Sequence, residues 1–270
     1  MNSFTLFKHS LFQFTDLHQA KKMSFWKVIL YVIFLSIILA LPITKQIFSI
    51  MQDIKNDGQK IAAKLPDFKI IDGKLDTATN VEGFIYQTNS IIFTFDPEGK
   101  RSLSDVTTDL VGNAVGLGFL QDEFVVALPN SGAADSLLGA NQFEIPYSKG
   151  SLDGLNSKDL KESLDEASVP FWIKLVIFVF TLYPTFINLI INLLMITIGA
   201  NLYSKIRLYN LRFLDCLKIS TYCATLPVIF SSILHFINRS FDDSFLIVFV
   251  SLLIFFIAIR KEERKEPPLA

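Results

Sequence analysis

The sequence predicts a membrane protein: four transmembrane α-helices with an inserted extracytoplasmic α+β domain. Three observations carry that prediction. One apolar run near the start is long enough to cross a bilayer, three more follow toward the end, and the stretch between is acidic, turn-rich and alternating in hydropathy. A content of 51% hydrophobic residues with 26 Phe, and a mean hydropathy of +0.42, set the chain apart from soluble proteins of its length.

Residues 1 to 24 read as a cytoplasmic amphipathic segment. Phe4, Phe7, Leu11 and Phe14 recur at steps of three and four, the face of a helix that lies in the inner interface or packs on the bundle. Phe25 to Ile43 is the first span, with Lys27 its only charge. About 19 residues at 1.5 Å each cover about 28 Å, close to the hydrocarbon thickness. Its long apolar core and the lack of a small-x-small site in "ILALPITKQ" make it a signal anchor that is not cleaved.

Residues 44 to 168 form the predicted outer domain with its stalk helices. Ile47, Ile50, Met51, Ile54 and Ile61 predict a first stalk helix, interrupted at Gly58. "FKIIDGKLDT" then changes to period two, with Asp72 and Gly73 suited to the positive φ angles of a type I′ turn. "VEGFIYQTNSIIFTFDPEGKR" adds strands with turns at Thr88-Asn89 and Asp96-Pro97-Glu98-Gly99, and a meander is expected. "DVTTDLVGNAVGLGF" reads as a short helix or loop, "DEFVVAL" and "QFEIPYS" as strands, and "SKDLKESLDEA" as a helix capped by Ser157.

Residues 169 to 270 hold the remaining spans: Phe171 to Gly199, Ile219 to Phe236 and Phe245 to Ile259. Lys8, Lys21, Lys22 and Lys27 precede or open the first span. Lys205, Arg207, Arg212 and Lys218 lie between the second and third, and Arg260, Lys261, Arg264 and Lys265 follow the fourth. The positive-inside bias puts all three groups and both termini in the cytoplasm, which an even span count also requires. "NRSFDDS" and the inserted domain are then outside. The domain carries 11 Lys and Arg against 19 Asp and Glu, a net of −8, while the rest carries 14 against 7, a net of +7. An acidic exterior argues against nucleic acid as a partner, and the basic cytoplasmic margin reads as topogenic, with an added attraction to the anionic lipid of the bilayer.

No catalytic, cofactor-binding or metal site is expected. Cys216 and Cys223 are seven apart and read as apolar fillers. Asp96 and Glu98 in "DPEG" lack EF-hand spacing and read as a turn. Gly112, Gly116 and Gly118 lack the Lys-Ser/Thr of a phosphate loop, and Ser131 in "NSGAADS" has no His in the domain to activate it. Scattered acids leave a glycoside-type pair of carboxylates open but favour solvation.

Two rows of polar residues lie inside the spans. Thr181, Thr185, Asn188 and Asn192 fall at steps of four, three and four on the second span. Thr221, Thr225, Ser232 and His235 share a face of the third. Antiparallel packing would set Asn192 at the depth of Thr221, Asn188 near Thr225 and Thr181 near Ser232. The rows then either line a polar path loosened by Pro184 and Pro227 or bind the helices together, and the second reading is the expected one.

"LPDFKIIDGKL", "IIFTFDPEGK", "FEIPYSK" and the apolar remainder resemble the bacterial membrane proteins described as maltodextrin utilization proteins. That resemblance implies a multi-pass protein of a Gram-positive-type plasma membrane with a carbohydrate transporter or other membrane protein as partner. "DCLKISTYCATLPVIFSSIL" also resembles the Yip-type membrane superfamily. The leading expectation is a non-enzymatic accessory or sensory protein whose outer domain binds a partner or small ligand. The alternative is a small transport or lipid-handling protein that uses the two polar rows.

Overall fold

A computed structural model of the chain describes residues 3–77, 81–112, 115–128, 140–150, 152–237 and 244–262. Ser131 with its "NSGAADS" neighbours, most of "NRSFDDS", and Arg264 and Lys265 lie outside the described residues. The chain divides into two compact units: residues 1–47 with 170–270, and Phe48–Val169.

The first unit is helical. α1 (Ser3–Phe12) and a 3-10 segment (Phe14–Lys22) precede α2 (Phe25–Lys64), a 40-residue helix whose N-terminal part belongs to this unit. α5 (Phe171–Ile206), α6 (Phe213–Cys223), α7 (Thr225–Ile237) and α8 (Ser244–Ala258) complete it. α2, α5 and the helix that starts with α8 are long and apolar enough to cross a membrane. The α6–α7 pair makes a fourth crossing if its 41° bend falls inside one span. The third predicted span is therefore two helices with a bend between them. Pro227 in the first turn of α7 has no N–H to carry the α6 ladder forward, and the chain bends at Ala224.

Leu35 and Leu39 of α2, Leu193 and Ile196 of α5, Ile219 and Tyr222 of α6, Val228 of α7 and Phe255 of α8 form the core. Tyr31 stacks on Tyr222 at 4.3 Å. The predicted phenylalanine face is used in part: Phe7 and Phe14 are half-buried against the bundle and Phe4 is exposed, while Leu6 and Ser10 on the neighbouring stripe are fully buried. Lys261 reaches Asp16 at 2.9 Å, Lys21 pairs with Glu262, and Lys218 donates to the carbonyl of Lys21 at 3.2 Å. The three basic groups thus meet at one end of this unit, and the hydrogen bond from Lys261 holds the Asp16 carboxyl below its ordinary range.

The second unit is α+β. The last turns of α2 run through Gly58 without a break, so no separate first stalk helix exists; Leu164 packs close to that glycine. β1 (Phe68–Ile71) and β2 (Lys74–Thr77) form their own hairpin, with Asp72 and Gly73 at φ of 51° and 75° as the turn requires. β3 (Phe84–Gln87), β4 (Ile91–Phe95), β5 (Val115–Phe119), β6 (Glu123–Ala127) and β7 (Gln142–Pro146) build a second sheet in that order.

This sheet is not a meander. β4 and β5 run parallel, which demands a crossover, and α3 (Leu103–Thr108) occupies it behind a Ser102–Asp105 capping box. Gly116 and Gly118, read as loop or helix, lie within β5. A Cβ on Gly118 would come 2.6 Å from Val125, and one on Gly116 3.1 Å from Val106 of α3, so the glycines let the helix close on the sheet. The other face carries Phe93, Phe95 and Phe119, packed with Ile61 of α2 and Leu160 of α4 (Ser157–Glu166). The cap of α4 is Asn156, whose side chain accepts from Lys158 and Asp159, whereas Ser157 donates to Asp67 at 3.1 Å.

Candidate functional site

The two polar rows do not bond to each other among the described residues; their interhelical bonds go to α2. Thr181 of α5 meets Thr44 at 2.7 Å, and Thr225 at the start of α7 meets the Tyr31 hydroxyl at 2.7 Å. Ser232 donates to the carbonyl of Ile38 at 2.9 Å. That last bond has a specific cause. Pro42, inside α2, has no N–H to return to the carbonyl four residues earlier, and Ser232 supplies the missing donor.

Most of the remaining hydroxyls are consumed locally. Thr185 donates to the Thr181 carbonyl at 2.7 Å and Thr221 to that of Leu217 at 2.9 Å. The two asparagines diverge. Asn192 is buried with its amide nitrogen unpartnered, while Asn188, one turn away, is exposed.

Asn188 opens onto a cleft of about 600 Å³ between α2, α5 and α7. Thr181, Thr185 and His235 line it as well, so four of the predicted residues share one site, while Asn192, Thr221, Thr225 and Ser232 stand apart from it. Its walls are apolar: Leu39, Ile43 and Ile47 at steps of four on α2, and Val176, Ile177 and Phe180 on α5. Pro184 lies in the same wall and withholds the N–H that would close on the Phe180 carbonyl. At the far side Gln46 donates to the His235 carbonyl at 3.0 Å. A second cavity of about 240 Å³, with Val28, Val32, Phe186, Leu193 and Thr221 among its walls, is apolar throughout.

Sequence reasoning missed the α2 wall because it ended the first span at Ile43, one residue before Thr44. Two signals were available: Pro42 inside an apolar run requires a donor from elsewhere, and Leu39, Ile43 and Ile47 share one face.

In the second unit a polar recess of about 770 Å³ is lined by Asp72, Lys74, Asp76, Glu82, Glu98 and Gln121 among others. The carboxylates of "DPEG" serve the turn. Asp96 is buried and accepts from the Arg101 amide at 2.7 Å, and Glu98 pairs with Lys100 at 2.7 Å, which holds its carboxyl below the ordinary range. No group of three or more potential metal ligands occurs among the described residues. Cys216 and Cys223 are buried free thiols within the helical core, as expected of fillers.

No curated protein and no solved structure matches the chain. A family model does match, over residues 4–259 and therefore through both units, and by that match the chain belongs to the family described as "Protein of unknown function (DUF1189)".

Proposed function

We propose that the chain crosses a bacterial plasma membrane four times and works there, without enzymatic chemistry, by holding a membrane amphiphile in the cleft between α2, α5 and α7. The observation that carries this reading is the cleft itself, which gathers Thr181, Thr185, Asn188 and His235 between apolar walls. A concave apolar site with a few placed polar groups is the usual form of a ligand pocket. In this reading the N-terminal part of α2, α5, the bent α6–α7 pair and α8 are the spans, both termini are cytoplasmic, and the second unit, residues 48–169, lies outside. The meeting of Asp16, Lys21, Lys218, Lys261 and Glu262 at one end supports the common side of the three basic groups.

A photoreactive residue in place of Ile177 tests the cleft in the full-length protein reconstituted in bilayers, with one in place of exposed Ile198 as the control for loosely surrounding lipid. A lipid adduct at 177 that far exceeds the one at 198 is expected. Equal adducts would remove the cleft from the proposal. The topology has its own test in a background free of Cys216 and Cys223. Lys100→Cys should react with an impermeant reagent in intact cells and Lys205→Cys should not.

The polar recess in the second unit favours a second reading: an accessory or sensory role in which that unit binds a partner or small ligand, with the resemblance pointing to maltodextrin uptake. Co-purification of a carbohydrate transporter from native membranes, lost on Asp76→Lys, would put this reading first.

A further inference from the structure

We propose that the cleft takes the acyl chain of a bilayer lipid with an anionic headgroup, and that Lys174 selects the charge. This rests on the reading of α2 and α5 as membrane spans. The shape of the site indicates a chain. Ile177, Thr181, Thr185 and Asn188 follow one face of α5, and the helical rise makes that path about 16 Å long. The hydroxyls along it are already engaged, Thr181 with Thr44 and Thr185 with the Thr181 carbonyl, so the upper cleft offers an occupant mainly apolar contact. Its mouth is rimmed by Val176 and Phe180, which are 43% and 76% exposed and which face hydrocarbon in the membrane reading.

The charge comes from the residue one turn before Ile177. Lys174 precedes it by three and Thr181 by seven, which places it on the same face of α5, at the outer margin of the span. It is exposed and has no ion pair among the described residues. Lys45 of α2 lies over the Phe236 ring of α7 at 5.2 Å. The stretches 25–47 and 171–206 contain no Asp or Glu, so no acid on the helix segments that form the two long walls offsets these cations. An apolar trough with a lysine one turn beyond its end complements a hydrocarbon chain that ends in a phosphate.

The test uses the full chain in nanodiscs that contain phosphatidylglycerol and phosphatidylcholine, with the lipid retained by the protein read by native mass spectrometry. The unaltered chain should retain phosphatidylglycerol in excess of its share. Lys174→Gln should cut that enrichment about fivefold, as expected for one lysine at a membrane surface. Lys174→Arg should restore it, Lys205→Gln at the other end of α5 should leave it unchanged, and Ile177→Trp, which fills the cleft, should lower retention of both lipids. Enrichment that survives Lys174→Gln would overturn the assignment of the headgroup while retention sensitive to Ile177→Trp still upheld the cleft. Retention of neither lipid by the unaltered chain would overturn both.

Discussion

The helical unit and the sheet unit differ in how far their polar side chains reach. In the first, Ser36, Thr44, Thr197 and Thr221 each donate to a carbonyl four residues back, and Thr225 to one three back. In the second, a buried carboxylate joins segments far apart in sequence: Asp57 of α2 accepts from the Ser90 amide at 3.1 Å, besides the Lys60 ammonium one turn along its own helix at 2.9 Å. A short hydroxyl on a helix has its own backbone within reach, whereas a carboxylate beside a sheet must find donors elsewhere. A row of threonines in an apolar helix is therefore weak evidence for a site. An asparagine in the same row, with two donors and an acceptor to satisfy where a hydroxyl has one donor, is stronger.

The largest test of this contrast concerns the independence of the sheet unit. Residues 48–169, expressed alone, should fold with mixed α/β circular dichroism and melt cooperatively, because Ile61, Leu65 and Leu160 complete the core. A shorter piece, 64–155, loses Ile61 and Leu160, and each deletion of that kind costs about 2–5 kcal/mol, so it should fail to melt cooperatively. Equal melting of the two pieces would mean that the helix ends are dispensable to this core.

A smaller effect is expected within the helical unit. Ser232→Ala leaves the Ile38 carbonyl without its donor and should cost about 0.6–1.7 kcal/mol in detergent unfolding. Pro42→Ala restores the backbone N–H, so in that background the same substitution should cost much less. Equal costs in both backgrounds would refute the link between the proline and the serine.

The asparagines should separate cleanly. Asn192→Leu removes a buried amide whose nitrogen has no partner and should be neutral or stabilising, and Asn188→Leu should leave stability within about 0.5 kcal/mol while it alters lipid retention. This reverses the expectation of interhelical glue. A loss of more than about 1 kcal/mol from either would reinstate the role in helix packing.

The smallest effect belongs to Glu123 in β6, whose carboxyl is pushed up by burial, then by Glu144 and Asp122. A raised carboxyl favours the protonated form in the fold, so its ionisation costs stability once pH rises above the folded value, and the penalty fades on acidification. Glu123→Gln should therefore raise the melting temperature of the 48–169 fragment at pH 7, by less than about 1 kcal/mol in stability, and the gain should vanish near pH 4. A gain that persists in acid would exclude ionisation as the cause. Asp57 has the opposite sign: burial raises it, but hydrogen bonds from Lys60, Thr88 and the Ser90 amide outweigh that and lower it, so its contribution is lost as pH falls through the folded value.

Much of the architecture was legible in the residues because each signal is local. Apolar length marks the helices of the first unit, the Asp72-Gly73 pair fixes a hairpin through its φ angles, and Pro97 with Gly99 marks a turn. The Thr181, Thr185 and Asn188 face, with His235, was legible for the same reason, since side-chain spacing on a helix follows from its pitch.

What only the tertiary structure decided is how those faces pair. Spacing says which residues share a side of a helix but not which helix that side meets, and the two rows that were expected to face each other turn to α2. The carbonyl freed by Pro42, the parallel pairing of β4 with β5 through α3, and the service of Ile61 and Leu160 in the sheet core follow the same rule. Each depends on contacts between segments distant in the chain, whose energy is set by packing and by the need to satisfy every buried backbone group, and neither quantity exists until the segments are brought together.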